Sequence, residues 1–155
     1  MIKRICLAIC LAVSMLTLYG CSSQSKSEPS ADSIVLKIVD NIDSDTMVQL
    51  SEERIANYYD LDISDLLDYS IYVDGSGGFS DEVAVLKAKD SEHLDILKEC
   101  VEKRVESQKK AFDGYNAGEY KKLEDYLLTS KDNYVLFVVS GDTDGAEKIF
   151  RDAFK

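Results

Sequence analysis

Cys21 is the first residue of this chain whose setting specifies a reaction. It follows Leu18, Tyr19 and Gly20 at the end of an apolar stretch from Ile5 to Leu18, and that stretch follows Lys3 and Arg4. This order is the signature of a bacterial lipoprotein signal peptide. A small residue at Gly20 lets a protease reach the bond between Gly20 and Cys21, and the freed Cys21 thiol takes a thioether-linked diacylglycerol. The apolar stretch is too short to cross a hydrocarbon core of ~30 Å comfortably, so residues 1–20 read as an address and not as a membrane domain.

Catalysis needs a base within hydrogen-bond reach of its partner, and the sequence offers a single histidine, His93. Cys100 follows it seven residues later on the same predicted helix. At 1.5 Å per residue the two are about 10.5 Å apart along the axis and make no Cys–His pair. Cys100, between Leu97 and Val101, reads as a buried small apolar residue. No catalytic residue and no cofactor site is assigned. Calcium fares no better: EF-hand spacing started at Asp43, Asp60 or Asp142 fails in the glycine, the oxygen ligands or the twelfth-position glutamate. No metal site is assigned.

What remains is a set of polar and aromatic residues suited to recognition. Gly75, Ser76, Gly77 and Gly78 have the composition of a phosphate loop, but a strand follows them and Asp81 and Glu82 bring negative charge, so the run reads as a hairpin turn. Phe79 stands beside this tip and is expected to be exposed. Arg104 and Gln108 share a helix face at i,i+4 spacing, which reads as an ordinary solvated face or a structural ion pair with Glu82, with an anion site as the functional alternative. Phe79, Asp81, Glu82, Arg104 and Gln108 are therefore the candidate binding surface. Tyr58, Tyr59, Tyr69, Tyr72, Tyr115, Tyr120 and Tyr126 are candidates for partly exposed rings that edge the core or serve recognition.

Removing the signal leaves 135 of 155 residues, and loss of Lys3 and Arg4 leaves 16 basic against 29 acidic side chains, a net charge of −13. A surface of that sign excludes nucleic acid as a natural partner. It also repels anionic lipid head groups, so the acyl chains and not the protein surface hold the domain at the membrane. Cys6 and Cys10 leave with the signal and Cys21 is lipidated, so only Cys100 remains and no intramolecular disulfide forms. Residues 21–31 read as the lipidated cysteine and a flexible polar tether, and 32–155 as one α+β domain.

The elements that must position these residues follow from periodicity. Ile34, Val35, Ile38, Val39 and Ile42 predict a helix from about Asp32 to Asn41, and Ser51 with Glu52 and Glu53 starts a second that ends near Tyr59. A short helical turn is expected at Ser64 to Leu67. From Tyr69 the period becomes two, with a second strand at Glu82 to Lys89, and Asp90 or Ser91 caps a long helix carrying Leu94, Leu97, Val101, Val105 and Phe112. A strand at Leu123 to Thr129, a turn at Lys131 to Asn133, an all-apolar strand at Tyr134 to Ser140 and a helix capped by Asp142 or Thr143 complete the chain. The two halves share an order that suggests a ββα duplication. The expected architecture is a four-stranded, largely antiparallel sheet, from two hairpins each followed by a helix, with helices packed on it.

Four sequence elements together resemble a known family. They are Tyr58, Tyr59 and Asp60 after an acidic helix; a small-residue turn before Ser80, Asp81, Glu82, Val83, Ala84, Val85 and Leu86; Arg104, Gln108, Phe112 and Tyr115 along one helix; and Asn133, Tyr134 and Val135 entering the last strand. From about Ser33 to Lys155 the chain resembles the lipoprotein domain of clostridial and related Gram-positive bacteria known as domain of unknown function 4358. That family tends to carry a proline after Tyr115, where this chain has Asn116, Ala117 and Gly118. The resemblance implies a lipid-anchored domain on the outer face of the cytoplasmic membrane and brings no catalytic residues. The expected function is a non-catalytic binding module for a protein or cell-wall partner, held to the membrane by its diacylglyceryl anchor. The alternative is an accessory small-ligand or cation-binding lipoprotein of an export or uptake system, using Asp81, Glu82, Arg104 or tyrosines.

Overall fold

Ser30 opens the first helix by accepting a hydrogen bond from Ser33 N–H, which satisfies one of the orphan donors of α1 (Ala31–Val39). The structure, a computed structural model, describes residues 28–155. The signal, Gly20, Cys21 and most of the expected tether lie outside these residues. Contacts with the domain already begin at Glu28, which pairs with Lys87, while the Tyr134 hydroxyl donates to Pro29 O at 2.9 Å. Among the described residues, no helix is long and apolar enough to cross a membrane.

After α1 come a three-residue strand β1 (Met47–Gln49), α2 (Glu52–Tyr59) and a 3-10 turn (Ile63–Asp65) leading into β2 (Leu66–Asp74). Then follow β3 (Glu82–Ala88), α3 (Ser91–Phe112), α4 (Ala117–Glu124), β4 (Leu127–Lys131), β5 (Tyr134–Val139) and α5 (Thr143–Asp152). All strand pairings are antiparallel, and the sheet order is β1-β2-β3-β5-β4. The mixed helix-and-sheet class is as expected, but the sheet has five strands and not four. β1 was too short for alternation to reveal; it pairs Val48 with Val73 on the outer edge of β2.

A second correction concerns the segment expected to be a strand from Leu123. Residues Ala117–Glu124 form a helix, and β4 starts only at Leu127. Asn116, standing where proline was expected, explains the helix: its Oδ1 accepts from the N–H groups of Gly118 and Glu119 and caps the first turn.

Two apolar clusters sandwich the sheet. Ile55 and Tyr59 of α2, Leu97, Val101 and Val105 of α3, and Leu123 of α4 pack on Ala84, Leu86, Val135 and Phe137. Ile34, Val35 and Ile38 of α1 with Ala146 and Phe150 of α5 pack on Val83, Val85, Leu136 and Val138. Strand alternation sends successive residues of β3 and β5 to opposite clusters, so both strands are apolar almost throughout, and β5 is buried on both faces as its sequence predicts. The ββα duplication does not hold as a simple symmetry. A twofold axis exchanging antiparallel β3 and β5 would leave both following helices on one face, whereas α3 and α5 cover opposite faces.

Candidate functional site

Glu82 is the first residue of β3, and its side chain takes the face covered by α2, α3 and α4, where it is 0% exposed. A carboxylate there is stable only if its lone pairs are filled. Three side chains fill them. Tyr59, the last residue of α2, donates its hydroxyl to Oε1 at 2.5 Å. Arg104 donates from Nε to both oxygens and from Nη2 to Oε2 at 2.9 Å, and the Gln108 amide nitrogen, one turn further along α3, donates to Oε2. Burial alone would lower the Arg104 pKa, but the charge and hydrogen bonds of Glu82 more than reverse this and raise it. The Tyr59 hydroxyl is pushed well above its ordinary value, first by burial and then by the charge of Glu82.

An ionised carboxylate accepts only, so the Gln108 amide must turn its nitrogen to Glu82 and its oxygen away. That oxygen, Gln108 Oε1, finds no donor; among the described residues it is the one buried side-chain polar atom without a partner. Gln108 lines a pocket of about 330 Å³ between α2, α3 and the loop that joins β2 to β3. Arg104 stands beside it in the wall, Phe79 and Phe112 supply apolar surface, and Arg54 and Tyr58 of α2 line it from the other side. The Arg54 and Arg104 guanidinium groups lie 5.3 Å and 4.5 Å from the centre of the Tyr58 ring, and Arg54 Nη2 donates to the Tyr58 hydroxyl at 2.8 Å. Arg54 has no carboxylate partner among the described residues.

The loop is held by its own acid. Asp74, 8% exposed, accepts from the Ser76 hydroxyl at 2.6 Å, from Gly78 and Phe79 N–H at 3.1 and 3.2 Å, and from the Thr46 hydroxyl. Burial opposes its ionisation, but these donors win and bring its pKa down to about 2. The backbone donors that would cradle a phosphate are turned onto Asp74, which is why this glycine-rich run is a hairpin connection and not an anion loop. Next to it, Ser80 N–H and hydroxyl both donate to Glu119 of α4, at 2.7 and 2.8 Å, and Lys122 bridges Asp81 and Glu119 at 3.0 and 3.1 Å.

The five candidate residues thus meet in one place. Arg104, Gln108, Asp81 and the half-exposed Phe79 all line the pocket, and Glu82 lies behind the wall. Of the roles open to Arg104 and Gln108, pairing with Glu82 is the one formed. Tyr59 departs from expectation, since it is buried at 1% and not partly exposed, while Tyr115 is open at 73%. Sequence reasoning missed Arg54, Asp74, Glu119 and Lys122. The i,i+4 spacing of Arg54 and Tyr58 was the available signal for the first; Asp74, directly before the glycine run, was the signal for the second. His93 pairs with Asp90 at the first turn of α3, about 22 Å along the axis from Gln108, and Cys100 is buried, which raises its thiol pKa.

A family model described as a domain of unknown function (DUF4358) matches residues 40–140. No curated protein and no solved structure matches the chain. The matched span covers well over half of the chain and takes in all five strands, α2 to α4 and every pocket residue named above, and the chain belongs to the DUF4358 family.

Proposed function

We propose that this protein is a non-catalytic binding module, anchored by a diacylglyceryl group on Cys21 to the outer face of a bacterial cytoplasmic membrane, and that the pocket walled by Arg104 and Gln108 is where it binds. One observation carries the reading: Gln108, which lines the pocket beside Arg104, keeps a buried amide oxygen, Oε1, that no group among the described residues satisfies. Buried polar atoms are almost always paired, so an orphan in a pocket wall marks a place where an outside group completes the network. The arrangement also lacks a proton shuttle. Glu82 is neutralised by Arg104, Tyr59 is held protonated, and His93 is at the far end of the helix.

The test places a photo-crosslinking residue at Phe79, beside the pocket, in living cells, with Leu67 at the other end of β2 as control. A discrete partner adduct at 79 and none at 67 is the expected result; equal labelling at both positions, or none at 79, removes the reading. The anchor is checked separately, because Cys21→Ser moves the protein from the membrane fraction to the soluble one if the thioether holds it.

A second reading, a small-ligand accessory protein, draws support from the modest volume of the pocket, at the lower end of the range of ~300–1,000 Å³ for ligand sites. Its cation-binding form is the weaker one, since Asp81 is taken by Lys122 and Glu82 by Arg104. A metabolite that raises the melting temperature of the purified protein favours this reading.

A further inference from the structure

The unpaired groups in the pocket have a definite complement. Arg104 spends Nε and Nη2 on Glu82, and its Nη1 donates to no group among the described residues, so one edge of the guanidinium is free. Arg54 carries a second positive charge with no acid to match it among those residues. The two guanidinium carbons are at most about 10 Å apart, because both lie over the Tyr58 ring. Gln108 Oε1 needs the opposite kind of partner, a donor. Phe79 and Phe112 add aromatic wall, and the two acids that also line the pocket are already engaged, Asp74 by the loop donors and Asp81 by Lys122.

A simple anion does not match this frame. Phosphate or sulfate would satisfy the arginines but would bring acceptor oxygens against Gln108 Oε1, and the loop donors are already spent on Asp74. A metal ion would meet two guanidinium groups. The matching ligand carries a carboxylate and, beside it, an N–H donor, with an apolar group attached.

We propose that the pocket binds an apolar amino acid residue through its α-carboxylate and adjoining N–H, the carboxylate on Arg54 and the free edge of Arg104, the N–H on Gln108 Oε1, and the side group on Phe79 and Phe112. This chemistry is shared by a free amino acid and by the carboxyl-terminal residue of a peptide. The proposal rests on the reading of this pocket as the binding site.

The test uses the full chain purified from membranes in detergent, with binding followed by saturation-transfer NMR and calorimetry. The probes are L-phenylalanine and N-acetyl-L-phenylalanine. Their controls are N-acetyl-L-phenylalanine methyl ester, which lacks the carboxylate, and N-acetyl-N-methyl-L-phenylalanine, which lacks the N–H. At least one acid probe is expected to bind, and the ester and N-methyl controls to bind about tenfold more weakly or not at all, the loss of roughly one charged or hydrogen-bonded contact. Arg54→Gln, at an exposed position, should reduce acid binding to the level of the ester. Gln108→Met should do the same as N-methylation; the N-methyl probe gives that comparison even if the variant fails to fold.

Stronger binding of the free amino acid identifies a monomeric ligand, and stronger binding of the acetylated form identifies a peptide end. The proposal is overturned if neither acid binds up to about 5 mM, if either control binds as well as its parent, or if Arg54→Gln binds unchanged. Should those results come with a discrete cross-link at Phe79 in cells, only the ligand class falls. Should the cross-link also be missing, the binding reading falls with it.

Discussion

Glu82 brings a negative charge into an apolar layer, and the energetic consequence depends on which partner is removed. Arg104→Met leaves the carboxylate buried with only Tyr59 and Gln108, and a buried charge stripped of its partner costs about 3–5 kcal/mol. Glu82→Gln in the same background restores neutrality and should recover part of that loss in urea unfolding; no recovery would show that packing and not charge sets the cost. Asp74 gives a pH signature. Its pKa falls from 3.8 to about 2 on folding, so the stability it contributes is complete above pH 4 and is lost as pH falls from about 4 to 2. A tenfold change in acid dissociation corresponds to ~1.4 kcal/mol, and water at the loop surface screens part of the effect, which leaves a contribution of about 1–2 kcal/mol. Asp74→Asn should flatten stability between pH 4 and 2, as read by denaturant midpoints; an unchanged acid slope would assign that slope to other groups. Of these residues, Glu82 with Arg104 and Gln108 was legible because i,i+4 spacing on a helix is short-range information. That Tyr59 completes the set was not, because its pairing depends on how two distant elements dock.

At the level of elements, the loop from Asp74 to Asp81 is the hinge between fold and pocket. Gly75 is close-packed against β1, and a Cβ there would meet Val48 Cγ1 at 2.9 Å and Thr46 O at 3.1 Å. Gly75→Ala should therefore push β1 from β2 and cost about 1–3 kcal/mol, with loss of amide protection at Gly75, whose N–H bonds Thr46 O, as the local readout. Retained protection would mean that Val48 yields without moving the strand. Helices with strong caps and long stripes, such as α3 with Asp90 and α5 with Asp142, follow from sequence because caps and periodicity agree. β1 and α4 did not follow. β1 has three residues, and α4 buries one apolar side chain, Leu123, together with the charged Glu119, so neither shows a clear period.

For the whole molecule, the two apolar clusters share one sheet, and neither can lose its packing without stripping the other. Phe137→Ala in one cluster and Phe150→Ala in the other should each cost about 3–5 kcal/mol, with one cooperative unfolding transition in both variants. Two separated transitions in calorimetry would show that the clusters are independent. The layered α+β class was legible because β3 and β5 are too apolar for a sheet with one wet face, but the assignment of α3 and α5 to opposite faces lies in the connections and not in any local pattern.

The first described residues also fix a direction. Glu28 and Pro29 are fastened near Lys87 and Tyr134, whereas Asp74, Phe79 and Asp81 stand beyond the other end of β3, roughly 17 Å further along the strand. Only six residues, 22–27, separate the proposed anchor point Cys21 from Glu28. If the proposed lipid sits on Cys21, a domain moored at its Glu28 pole would turn the opposite pole outward. On the proposed anchoring at Cys21, whatever docks beside Gln108 would then arrive from the side facing away from the bilayer.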